Sequence, residues 1–139
     1  MSKWRGVVIH CSDSTWGDAK EIDKWHKERG WAGIGYNFVI KRDGNVQLGR
    51  TLKRNGAHAR GCNTDYIGIC MIGKHQFEDE QFKALTNLLT SLIATYGISW
   101  DKIIGHYACP HTNKTCPNFD VEQFKNNINK GNAKWVLGT

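Results

Sequence analysis

Gly6-Val-Val-Ile-His-Cys11 is a short apolar run closed by Ser12, Asp13 and Ser14, a loop signal. A continuous apolar run of this length, with no polar residue on alternate positions, suits a strand buried on both faces. A second run, Tyr66-Ile-Gly-Ile-Cys-Met-Ile72, has the same character and is expected to be a central strand. Between them, Tyr36-Asn-Phe-Val-Ile-Lys41 and Val46-Gln-Leu48 flank Arg42-Asp-Gly-Asn45. The Asp43-Gly44 pair tolerates positive φ, so a hairpin is predicted there. Lys102-Ile-Ile104 is a candidate short strand that delivers His106.

Helical signals separate these runs. Asp18-Ala-Lys-Glu21 reads as a capping box, opening a helix that runs to about Arg29 and stops at Gly30. From about Asp79 to Tyr96, Phe82, Leu85, Leu88, Leu89, Leu92, Ile93 and Tyr96 recur at helical spacing, and Gly97 supplies a stop. That stripe is core. Asp120 caps a last helix using Val121, Phe124 and Ile128. Strands interleaved with helices, plus one hairpin, predict an α/β fold: a mixed sheet packed by helices.

The totals agree with one domain spanning residues 1–139. A chain of about 150 residues buries about 68–70% of its unfolded surface, so no disulfide is needed. A hydrophobic share of 40% with only two prolines argues against disorder. Nineteen basic against 13 acidic residues give a net charge of +6. This favours anionic partners such as nucleic acid, anionic lipid or cell-wall polymer without choosing among them, and it equally suits a solvated basic surface. Cysteines at 11, 62, 70, 109 and 116 are odd in number and irregular in spacing, which fits reduced thiols better than a disulfide framework. Met1-Ser-Lys-Trp-Arg-Gly-Val-Val-Ile-His10 lacks the apolar stretch of a signal peptide, and no run is long enough for a membrane span. The expectation is synthesis in the cytoplasm, with any work outside depending on another route of export.

Metal-binding residue types concentrate at His106, Cys109, His111 and Cys116. The histidines are spaced H-x4-H, inside the usual range, but the cysteines are C-x6-C and interleave with them, so a self-contained structural zinc loop is one reading among several. A catalytic zinc instead takes three protein ligands and leaves a position for water. His10, at the end of a predicted buried strand, could join His106 and Cys116 if the two strands are neighbours. The plainer alternatives are a core histidine at 10 and a small buried hydrophobe at 116. No HExxH, Walker-type or GxSxG pattern is present, which removes support from those enzyme classes.

Six segments occur in a telling order: Val8-Ile-His-Cys-Ser12, Ile22-Asp-Lys-Trp-His-Lys-Glu-Arg-Gly-Trp31, Ile34-Gly-Tyr-Asn-Phe-Val-Ile-Lys-Arg-Asp-Gly44, Gly56-Ala-His-Ala-Arg-Gly-Cys-Asn63, Ile67-Gly-Ile69 and Lys114-Thr-Cys-Pro-Asn-Phe-Asp120. Together they resemble the zinc-dependent N-acetylmuramoyl-L-alanine amidases related to peptidoglycan recognition proteins, a family that includes amidase-type phage lysozymes. The resemblance runs from about Arg5 to Phe124. It implies a mixed sheet of about five or six strands packed by helices, with a zinc cleft on one face. It places zinc ligands on His10, His106 and Cys116, and catalytic groups on Tyr36 and Lys114. It puts a substrate contact on His58, with Asn63 as companion. His26 is expected to pack or cap on its helix, and His75 and His111 to be exposed loop residues. The Ala108-Cys-Pro-His-Thr-Asn113 loop departs from the family pattern, as do the extra thiols Cys11 and Cys109.

The implied activity is hydrolysis of the amide between N-acetylmuramic acid and L-alanine in peptidoglycan, by a monomeric phage or prophage endolysin held in the host cytoplasm until lysis. No nucleic-acid or membrane partner is implied. Two other readings stand beside it: a non-catalytic peptidoglycan-binding module, against which Cys116 argues, and an interaction protein, since some phage relatives restrain an RNA polymerase.

Overall fold

The computed structural model of the chain describes residues 3–110 and 112–129, so the expectation for His111 lies outside the described residues. Strands β1 (Gly6–Cys11), β2 (Phe38–Ile40), β3 (Val46–Leu48), β4 (Tyr66–Met71) and β5 (Ile103–Gly105) alternate with helices α1 (Ala19–Glu28), α2 (Asp79–Tyr96) and α3 (Val121–Asn129). The strands form one mixed sheet in the order β3-β2-β4-β1-β5. All pairings are parallel except the predicted β2–β3 hairpin, whose turn uses Gly44 at φ +87°.

β1 is buried along its whole length, because β4 and β5 flank it and both faces of the sheet are covered. The pleat divides its residues. Val7 and Ile9 join Phe38, Ile40, Ile67, Ile69 and Met71 against the α2 residues Phe82, Leu85, Leu89 and Leu92 and the α3 residues Val121 and Phe124. Val8 packs on the other face with Ala59, Cys62 and Cys109. On that second face Ile22 of α1 covers Val39, Cys70 and Ile72. Side chains of this size stabilise the fold by about 1.5–3 kcal/mol each when fully buried.

Asp18 caps α1 by accepting the Glu21 N–H; only this half of the predicted box forms. A fuller device opens α2, where the buried Gln81 side chain accepts the Glu78 N–H and donates to the carbonyls of Ile40 and Ile72. Gly97 ends α2 in the left-handed region, as expected from the sequence. Among the described residues, no helix is long and apolar enough to cross a membrane.

Candidate active site

The sheet register assembles the site. Ile9 pairs with Gly105 across β1 and β5. One residue further along each chain stand His10 and His106, with ring centroids 4.5 Å apart. His10 falls on the face opposite Ile9, away from the α2 core. Cys116 arrives from the loop after β5. Its carbonyl accepts the Tyr107 N–H at 3.0 Å, and its Sγ accepts the Cys11 N–H at 2.9 Å. Residues 10, 106 and 116 thereby bring two imidazole nitrogens and a sulfur within 4.8 Å of one another, the one such group among the described residues that could hold a metal ion.

These side chains floor a cleft of about 470 Å³. Tyr36, Trp25 and His26 form part of its wall, and the loop bearing Lys114 closes another side. The Tyr36 ring packs against both His10 and His26. His26 is buried, and its Nδ1 accepts the Gly35 N–H at 2.9 Å, tying α1 to the segment that carries Tyr36. His75 is exposed. Both match the roles expected of them. Cys109 is buried beside Cys62, their sulfurs 3.3 Å apart, so it is a packing residue and not a thiol facing the cleft.

His58 and Asn63, expected as substrate contacts, sit behind the floor of the cleft. Neither lines the cleft. His58 stands behind His10, with Nδ1 2.9 Å from His10 Nε2. Asn63 Oδ1 accepts the N–H groups of His58 and Ala59, closing the loop that carries His58.

Burial dominates the electrostatics. It holds His10 well below the ordinary histidine pKa, helped by His58 and His106. Burial likewise brings His58 to about 4, and burial with the Lys114 charge lowers His106. All three imidazoles are therefore neutral at pH 7, and those of His10 and His106 each keep a lone pair that can bind a cation. The hydrogen bond with Cys11, then burial, pushes the Cys116 thiol up; a bound cation reverses this and takes the thiolate. Burial raises Tyr36 well above 10, so its phenol keeps its proton.

A family model described as N-acetylmuramoyl-L-alanine amidase matches residues 1–119. The chain belongs to this amidase family. The amidase is 36% identical over 129 residues to an endolysin of Escherichia phage T7, covering 85% of this chain and 83% of that one. Its structure superposes on N-acetylmuramoyl-L-alanine amidase LysC from Clostridium intestinale with a TM-score of 0.80 at 30% identity, covering 91% of this chain and 87% of that one. It superposes on Apis mellifera PGRP-SA with a TM-score of 0.78 at 26% identity, over 91% and 84% of the two chains. The five-stranded mixed sheet and the helices around it are thus the amidase and recognition-protein fold implied by the six sequence segments.

Two features of the amidase site have no signal in the sequence. Arg29, the C-cap residue of α1, lies on the cleft wall, where nothing distinguishes it from other basic residues of the chain. Asp13 also lines the cleft, at φ +58°, yet in sequence it is one member of a loop cluster.

Proposed function

We propose that this amidase uses zinc held by His10, His106 and Cys116 to hydrolyse the amide between N-acetylmuramic acid and L-alanine in bacterial peptidoglycan, as a phage or prophage endolysin. The observation that carries the reading is the group of two neutral imidazoles and one cysteine within 4.8 Å on the floor of the cleft. Nitrogen and sulfur donors in threes, on a cleft open to substrate, suit a catalytic zinc. Zinc supplies, when bound, a Lewis acid that polarises the amide carbonyl and lowers the pKa of water.

The chain's own residues do the rest. Tyr36 stays protonated through burial, so it acts as a hydrogen-bond donor to the carbonyl oxygen as negative charge develops there, and not as a base. Lys114 brings a cation to the same side as His106, where it offsets that charge. The wall of Trp25, His26 and Arg29 orients the substrate. The protein accumulates in the host cytoplasm and reaches the cell wall on release at lysis.

Purified protein incubated with Gram-negative-type peptidoglycan is the test. New L-alanine amino termini should appear, should vanish with a chelator, should return with zinc, and should be absent for His106→Ala. Cleavage that persists without metal would overturn the mechanism. Muropeptide binding without cleavage would favour a recognition module instead.

A further inference from the structure

We propose that His58 is a positioning residue that fixes the tautomer of His10, so that His10 presents Nδ1 to the metal. This rests on the reading of His10 as a ligand. His58 Nε2 lies 2.9 Å from the Tyr66 carbonyl oxygen. A carbonyl only accepts, so His58 Nε2 carries the proton. In the neutral ring Nδ1 then holds a lone pair, and it faces His10 Nε2 at 2.9 Å. One proton fills that gap, and it belongs to His10 Nε2. The remaining nitrogen of His10, Nδ1, is left with its lone pair for the group it forms with His106 and Cys116.

The surroundings of His58 are built to hold this arrangement. A Cβ on Gly68 would stand 2.6 Å from His58 Cγ, and one on Gly56 would stand 2.5 Å from His58 Cδ2. Neither glycine has a positive φ, so both are there for space and not for backbone freedom. Gly68 lies within β4 opposite Val8 of β1, on the sheet face that also carries His10. The imidazole is therefore slotted between a central strand and its own loop. Asn63 holds that loop through the N–H of His58 at 2.7 Å and of Ala59 at 2.8 Å. Asn37 Oδ1 accepts the Gly68 N–H at 2.9 Å, fixing the other wall of the slot. Removing an outer partner of a metal-bound histidine typically weakens metal affinity by about 10–100-fold.

Imidazole-nitrogen NMR of the metal-free protein at pH 7.5 reads the tautomers directly, and chelator competition reads zinc affinity. The expected result is Nε2–H on both His10 and His58. His58→Ala should bind zinc about 10–100-fold more weakly and show His10 as a tautomer mixture. His58→Gln should recover most of the affinity, because its amide offers an acceptor to His10 and a donor to Tyr66. Gly68→Ala should behave like His58→Ala. An Nδ1–H tautomer at His10 in the wild type, or unchanged zinc affinity in a folded His58→Ala, would overturn the proposal. Should His58→Ala not fold, the wild-type tautomers and His58→Gln decide. Wild-type protein that binds no zinc but shows Nε2–H on His10 would sink the metal reading while supporting the relay.

Discussion

The ring of Tyr36 lies 4.9 Å, centroid to centroid, from the ring of His10. Packing and chemistry can therefore be separated at this residue. Tyr36→Phe keeps the ring contact and removes only the phenol. Zinc content should stay at the wild-type level while kcat falls by about 10²–10³, the usual cost of losing one oxyanion donor. Lys114→Ala should act in the same direction, again without loss of zinc. Metal analysis beside initial rates checks both variants, and a Tyr36→Phe enzyme at full rate would remove the phenol from the mechanism.

Gln81 joins the start of α2 to the sheet. Its amide donates to the Ile72 carbonyl at 2.8 Å, and its carbonyl oxygen takes the Glu78 N–H at 3.0 Å. Gln81→Leu would leave buried polar groups short of partners, a loss of about 1–3 kcal/mol. Urea unfolding should show a lower midpoint with the slope preserved. Activity well below the melting temperature should be unaffected, since Gln81 is on the far side of the sheet from the cleft.

His26 ties stability to pH. Burial, then the charges of Arg29 and Arg50, hold it below the ordinary value, and Asp23 opposes them only in part. The unfolded residue takes a proton near pH 6.5, whereas the folded one does so only at lower pH. The unfolded state thus binds more protons in that window. Stability falls as pH drops below about 6.5 and stops falling once the pH is below the folded value. His26→Gln should flatten this part of the curve, as read from urea midpoints at pH 7.5 and 5.0. Equal slopes in the two proteins would count against it.

Cys109 tests the packing behind His106. Burial, with Cys62 alongside, pushes its thiol up to about 12, so almost no thiolate exists at pH 8. In native protein both Cys62 and Cys109 should resist iodoacetamide at that pH, and both should label promptly in urea. Mass spectrometry of digested, labelled protein distinguishes the sites. Rapid native labelling of Cys109 would show that this loop opens far more readily than its burial implies.

Much of this was legible in the sequence, for identifiable reasons. Gly6–Cys11 and Tyr66–Met71 announce themselves because strands buried on both faces carry no polar alternation. α2 is legible because Phe82, Leu85, Leu89 and Leu92 share one stripe, and Gly97 marks its end. The proposed ligand set is a different matter. Residues 10, 106 and 116 meet only because β5 pairs with β1, and strand order is not written in local pattern. Spacing alone left the trio level with a self-contained zinc loop, and the family resemblance singled it out. The place of His58 beside His10 depends on Gly56 and Gly68, which leave room for its ring, and local sequence pattern does not announce that. The capping device of α2 was missed because its cap is Glu78, not one of the short side chains that usually signal a helix start.

The spread of the proposed ligands along the chain also has a consequence for biosynthesis. His10 leaves the ribosome early, but its partners at 106 and 116 follow only when most of the chain has been made. β1 then has to be flanked by β5, a strand that is itself translated late. Products that end before residue 116 lack Cys116 and, on the proposed zinc mechanism, would be inert toward the cell wall. Under the proposed mechanism, the order of translation keeps fragments that end before Cys116 from acting.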